Sequence, residues 1–138
     1  MAAFNKFNDF CEEVLRGTHA FDSDTFKLML SNSAPVAANS LKADLTEIAA
    51  GNGYPAGGQA LAVTLTRSAG VAKVSIADEV FTATGAPMAP FRYGVVYNDS
   101  AASKNLVGWF DHGATITLGA GETFTADFDA VNGAFTLA

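Results

Sequence analysis

The sequence predicts an all-β fold, a two-sheet sandwich of jelly-roll type with one N-terminal amphipathic helix, and three observations carry that reading. Short runs rich in Thr, Val and Phe alternate apolar with polar residues, the period of two of a half-buried strand. Turn signals separate them: Ala69-Gly70, Gly85-Ala86-Pro87, Asn98-Asp99-Ser100, His112-Gly113, Gly119-Ala120-Gly121 and Asn132-Gly133. No helical period interrupts the runs once they begin. Roughly eight or nine strands without crossover helices bury their apolar faces by packing two sheets together.

Taken in order, the helix comes first, within an N-terminal segment 1–17. Phe4, Phe7, Phe10, Cys11, Val14 and Leu15 recur at helical spacing, Asn8, Asp9, Glu12 and Glu13 occupy the other side, and Gly17 ends the pattern. Its aromatic stripe either packs on the rest of the domain or docks on another protein. "TFKLMLS" (25–31) then sets Phe26, Leu28 and Leu30 against Thr25, Lys27 and Met29 as a strand. The segment 31–58 reads as one long connection, with "LTEI" (45–48) as a short edge strand at most. Further strands follow at 59–68, 71–77, 79–84, 91–98, 105–111, 114–119, 122–129 and 133–138, with a hairpin turn at "DHG" (111–113).

The chain of 138 residues fits one domain, 1–138, and a chain this long buries roughly 68% of the surface its unfolded form exposes. Cys11 is the only cysteine, so an intramolecular disulfide is excluded and a reducing compartment is expected. "MAAFNKFNDF" lacks the apolar core of a secretory signal, and no apolar run reaches the ~20 residues of a membrane helix. Fourteen acidic against eight basic residues give a net charge of −6. Such a field repels phosphate backbones, so neither nucleic acid nor membrane is expected as a partner. Charged residues make up only 16% and apolar ones 49%, a lean covering for an isolated surface, so some apolar surface is expected to meet a partner.

The glycines of "GNGYPAGG" (51–58) invite comparison with a phosphate loop. They lack the Lys-Ser/Thr pair of a P-loop and precede a strand, so turn geometry is the better reading. His19 lies just past the helix, and His112 follows Asp111, whose side chain points to the opposite face if both lie in a strand; rather than a catalytic dyad, both histidines are expected to be solvated turn residues. Asp127 and Asp129 share a strand face, which suits a hard cation, a carboxylate pair or simply a polar exterior. Phe91, Tyr93, Val95 and Tyr97 fall on one side of a strand, while Trp109 and Phe110 point to opposite sides of another. Such aromatics belong to the core or, exposed, stack sugars. No catalytic, cofactor or metal residues are assigned, and no enzymatic activity is expected.

The ordered blocks "KFNDFCEEVLRGTHAFDSDTFKLMLSNSAP", "LTEIAAGNGYPAGG", "PFRYGVVYND", "LVGWFDHGATITLGAGETFTADFD" and "GAFTLA" resemble the head cement, or decoration, proteins of tailed bacteriophages. The likeness spans nearly the whole chain, although none of its blocks is a catalytic signature. It implies a virion protein made in the bacterial host cytoplasm. Its place would be the exterior of an HK97-fold head, where it would bridge neighbouring major capsid protein subunits as a homo-oligomer, a dimer before a trimer. A tail or neck virion protein and a carbohydrate-binding β-sandwich module are the alternatives. The family carries over no site motif. From loop length and aromatic content, the 31–58 connection is the expected capsid contact and the N-terminal helix the second candidate. Phe4, Phe7, Tyr54 and Pro55 are the expected apolar anchors.

Overall fold

The computed structural model describes residues 3–138. The chain is an all-β sandwich with one short helix, and its hydrogen-bonded strands fall into three antiparallel sheets rather than two. The first sheet has five strands: β1 (Asn5–Lys6), β2 (Phe26–Ser31), β3 (Gln59–Ala60), β7 (Phe91–Asn98) and β8 (Leu106–Ile116), in the order β1-β8-β7-β2-β3. The second has β4 (Val63–Ser68), β5 (Val71–Ile76) and β10 (Phe135–Leu137), in the order β10-β5-β4, and the third pairs β6 (Glu79–Thr82) with β9 (Thr123–Ala126). Phe26, Leu28 and Leu30 of β2, Val96 of β7 and Phe110 of β8 form one main core with Ile76, Phe81 and Ala126 of the smaller sheets. The two smaller sheets together therefore form the second layer.

The helical reading of the N-terminus holds only for its second half. Helix α1 spans Phe10–Arg16 and ends on Gly17 in the left-handed conformation, whereas Asn5 and Lys6 pair with Trp109 and Gly108 of β8. The residues of the stripe are parted by the sheet: Phe4 and Phe10 pack into the main core, while Phe7 is buried on the sheet's other face. One helix cannot present its stripe to both faces of a sheet, so tertiary packing overrides the local period. Residues 1 and 2 of the expected 1–17 segment lie outside the described residues.

That other face carries a second, smaller core of Phe7, Met29, Val95, Tyr97 and Leu106, against which Leu45 and Trp109 pack. The residues of β2 predicted to be outward are consequently not all exposed, for Met29 is buried on the face opposite Phe26, Leu28 and Leu30. A strand covered on both faces reads as a near-continuous apolar run.

Two strand boundaries also differ from expectation. The run 59–68 is divided, β3 joining the five-stranded sheet through β2 and β4 joining β5. Conversely, the predicted strands 105–111 and 114–119 are one strand, β8, with no hairpin at His112-Gly113. Pairing passes from Tyr93↔Asp111 to Phe91↔Ile116, so the extra residues of β8 form a bulge. Gly113 supplies its positive φ of 99°, the Asp111 carboxylate accepts the Gly113 N–H at 2.8 Å, and Arg92 grips the same carboxylate at 2.7 and 3.0 Å. The bulge also shifts the register of β7. Phe91 turns into the main core while Val95 and Tyr97 face the second, so the four aromatic and apolar residues of that strand do not share a side.

Candidate interaction surface

The connection between β2 and β3 contains no strand, and "LTEI" is not one; only a 3₁₀ turn at Lys42–Asp44 is regular. The connection is nevertheless anchored. The Ser31 hydroxyl donates to the Thr46 carbonyl at 2.6 Å, the Ile48 N–H to Leu30 at 3.1 Å, and Leu41 bridges to Asn105. Its centre is Glu47, whose carboxylate accepts the Tyr54 hydroxyl and the Gly57 N–H, both at 2.6 Å, and the Lys42 ammonium at 3.1 Å. The Tyr97 hydroxyl donates to the Gly57 carbonyl at 2.6 Å, and the Lys42 ammonium stands 5.7 Å from the centre of the Tyr97 ring. The glycine loop thus does hold an anion, and the anion is the chain's own Glu47. Gly58, with φ 83°, lies so close to β2 that a Cβ would stand 2.0 Å from the Leu28 carbonyl oxygen.

This arrangement decides the fate of the expected anchors. Tyr54 is 2% exposed; its ring faces Phe81 and its hydroxyl receives the Leu30 N–H at 3.2 Å. Phe7 is also 2% exposed, with its ring centre 4.5 Å from that of Trp109. Neither ring is available on the surface, because each is needed to fill the monomer's own cores. Phe4 is half-buried over Phe128 and Phe135, and Pro55 alone of the four stands exposed, at the start of the turn closed by Gly58 N–H to Pro55 C=O. The four residues do not form one patch. Burial drives the Tyr54 hydroxyl far above its ordinary pKa, the Glu47 hydrogen bond adding to the shift; for Tyr97 burial comes first, with Asp99 and Glu47 nearby, and its pKa is pushed up to about 12.

The remaining polar candidates are occupied by local structure. Asp129 accepts from the Val131 and Asn132 N–H groups and from the Asn132 side chain, bonds that hold its carboxyl below the usual range. Its partnership with Asp127 is therefore that of a turn beside a strand end. Among the described residues no group of three or more His, Cys, Asp or Glu is placed to hold a metal ion, and no helix is long and apolar enough to cross a membrane. Cys11 is exposed on α1. His112 is exposed in the bulge, its ring perpendicular to that of Phe124 at 5.6 Å, whereas His19, expected to be solvated, is buried because its ring packs among Phe10, Phe21 and Phe26.

Exposed apolar surface gathers instead where the second sheet overhangs the core. Pairing aligns Phe135, Val74 and Leu65 in one row and Leu137, Ala72 and Arg67 in the next. In β4, Val63, Leu65 and Arg67 share the face that turns toward the core, since Val63 packs against it. Leu65 lies beyond the core's reach and is 44% exposed, Leu137 is 56% and Leu15 of α1 is 83% exposed. Between this overhang, α1 and the His19–Asp22 turn runs an apolar groove of about 370 Å³, walled by Val14, Leu15, Phe21, Leu65, Val74 and Leu137, with His19 also in its wall. The edge of β4 away from β5 pairs with no other strand among the described residues. Sequence reasoning placed the contact first on the 31–58 connection and second on the N-terminal helix, whose Val14 and Leu15 wall this groove; the part played by the second sheet was not foreseen. One signal was present: Leu65 follows Val63 on one face of a strand that ends in Arg67 and Ser68, an apolar residue carried past the point where burial stops.

No family model matches this chain, and neither a curated protein nor a solved structure is similar to it at a significant level.

Proposed function

We propose that the protein is a structural binding protein of a tailed-phage head, a cement or decoration protein that attaches to the outer surface of an HK97-fold shell and ties major capsid protein subunits together. The assembly is suggested by the resemblance of the sequence blocks. The observation that carries a docking role is the overhang, where Leu15, Leu65 and Leu137 stand exposed together around an apolar groove. Clustered apolar surface of this kind is characteristic of protein contact sites. The net charge of −6 suits the outside of a DNA-filled shell better than its inside. The role is mechanical: many copies, each making a modest interface, add their binding energies to resist pressure from within. Self-association, with a dimer favoured, would let one copy reach two subunits.

The test is occupancy on purified heads. Leu65→Glu with Leu137→Glu is expected to leave the monomer's unfolding unchanged, because both side chains are exposed, and to reduce the copies retained per head at least tenfold. Full occupancy by the double variant, or labelling of the tail and not the head by the unmodified protein, would overturn the reading.

A further inference from the structure

His19 is 6% exposed, and its ring sits among those of Phe10, Phe21 and Phe26 at centre distances of 5.5, 5.9 and 6.0 Å. It is tied to β7 through Asn98, which is fully buried. The orientation of the Asn98 amide is fixed, because its Oδ1 accepts the Ser100 N–H at 2.9 Å and the Ala101 N–H at 3.2 Å. Its Nδ2 therefore faces the other way, 3.2 Å from His19 Nδ1, 3.2 Å from the Thr18 carbonyl and 2.8 Å from Asp24 Oδ2. Asp24 in turn accepts the Ala20 N–H at 3.0 Å, which closes the turn that follows α1.

This geometry dictates the protonation state. The Asn98 Nδ2 shares two hydrogens among His19 Nδ1, the Thr18 carbonyl and Asp24 Oδ2 and, as an amide nitrogen, accepts none, so a proton on Nδ1 would face only a donor; Nδ1 is the bare nitrogen and the neutral ring carries its proton on Nε2, which is buried without a partner among the described residues. A second proton has to go to Nδ1, where it meets the Asn98 N–H₂ head on. Turning the Asn98 amide over would set its oxygen against the Thr18 carbonyl and Asp24 Oδ2, so the ring has to leave its aromatic site; with it go the packing of α1 and the Thr18 and Asp24 acceptors that hold the Asn98 amide, which loosens the Ser100 and Ala101 N–H bonds on its other side. Glu13 from α1, Asp9 from the helix cap and Asp24 from the turn are the charged groups that face the ring. β7 offers the neutral Asn98, and no cation faces the ring among the described residues. Their attraction is outweighed by the loss of hydration, which leaves the imidazole harder to protonate than an exposed one.

We propose that His19 is an acid-sensitive latch that holds α1 and the 18–24 turn to β7, and that its protonation releases both together with the 98–101 turn. Because α1, His19 and Phe21 wall the groove beneath the overhang, release reshapes that groove. The latch couples acidity to the same surface that the proposed docking uses, although its chemistry stands whatever binds there.

Hydrogen exchange of the full chain at pH 7.5 and 5.0, corrected for the intrinsic exchange rates, tests it. Segments 10–24 and 98–101 are expected to lose protection together, by up to about thirtyfold, the limit set by an unfolded histidine of ordinary pKa. β2 and the centre of β8 are expected to keep theirs. His19→Phe, which keeps an apolar ring in the site, is expected to remove the pH response. Equal protection at both pH values, a response surviving in His19→Phe, or 98–101 staying closed while 10–24 opens would each overturn the latch. Should His19→Phe fail to fold, a proton NMR titration of the unmodified protein decides. The His19 ring must titrate below an exposed histidine, with the Asn98 side-chain amide moving at the same midpoint, and titration of the ring at or above the ordinary value overturns the proposal.

Discussion

At the scale of single residues, the most consequential group is the Tyr54 hydroxyl. It accepts a buried N–H from β2 and donates to Glu47, so it joins the connection to the sheet. Tyr54→Phe keeps the ring against Phe81 but leaves the Leu30 N–H without an acceptor, and urea unfolding is expected to show a loss of about 1–3 kcal/mol. Pro55→Ser, at an exposed position, is expected to fall within about 0.5 kcal/mol of the parent in the same measurement. The tyrosine hydroxyls also set an alkaline limit. The folded chain raises the pKa of Tyr97 to about 12 and that of Tyr54 further, while an unfolded tyrosine titrates near 10. Each therefore contributes stability that is complete below pH 10 and is lost as pH rises through the folded values. Thermal unfolding followed from pH 9 to 12 is expected to show a falling midpoint, with a shallower fall in Tyr97→Phe.

At the scale of elements, the N-terminal segment works as a strap. Its aromatic residues pin it to both faces of one sheet edge, and Phe7 closes the second core over Trp109. Phe7→Ala is expected to cost about 3–5 kcal/mol and to shift the Trp109 emission to longer wavelength as water reaches the indole. The strap also shows where sequence reasoning stops. The spacing of Phe4, Phe7 and Phe10 is compatible with one helix face, and nothing local says that a sheet edge will part them; only the helix end at Gly17 is written in the residues beside it. Strands such as β7 and β5, whose alternation or β-branched content needs no distant partner to be recognised, were legible. The division of 59–68 between two sheets and the fusion of two predicted strands across Gly113 were not, since a bulge and a turn share the same residues and differ only in what lies opposite. The same holds for the surface: Tyr54 looked like an anchor because an aromatic ring in a glycine-rich loop reads as exposed, and the carboxylate that draws it inward lies seven residues away.

At the scale of the molecule, the five-stranded sheet is shared by both cores, so neither can empty without the other losing its wall. Denaturant unfolding is accordingly expected to be a single transition, with Trp109 fluorescence, reporting the second core, coinciding with far-ultraviolet circular dichroism. Two separated transitions would show that the strap and connection form a layer that peels away alone.

The pairing of Asn5 and Lys6 with Trp109 and Gly108 also sets a timetable. A ribosome adding about 5–20 residues per second leaves the first strand without its neighbour for about 5–20 s, during which Phe4, Phe7 and Phe10 have no finished sheet to enter. The nascent chain thus leaves this aromatic segment uncovered for that whole interval, and holdase chaperones that grip aromatic segments are expected to engage it there until β8 emerges from the exit tunnel.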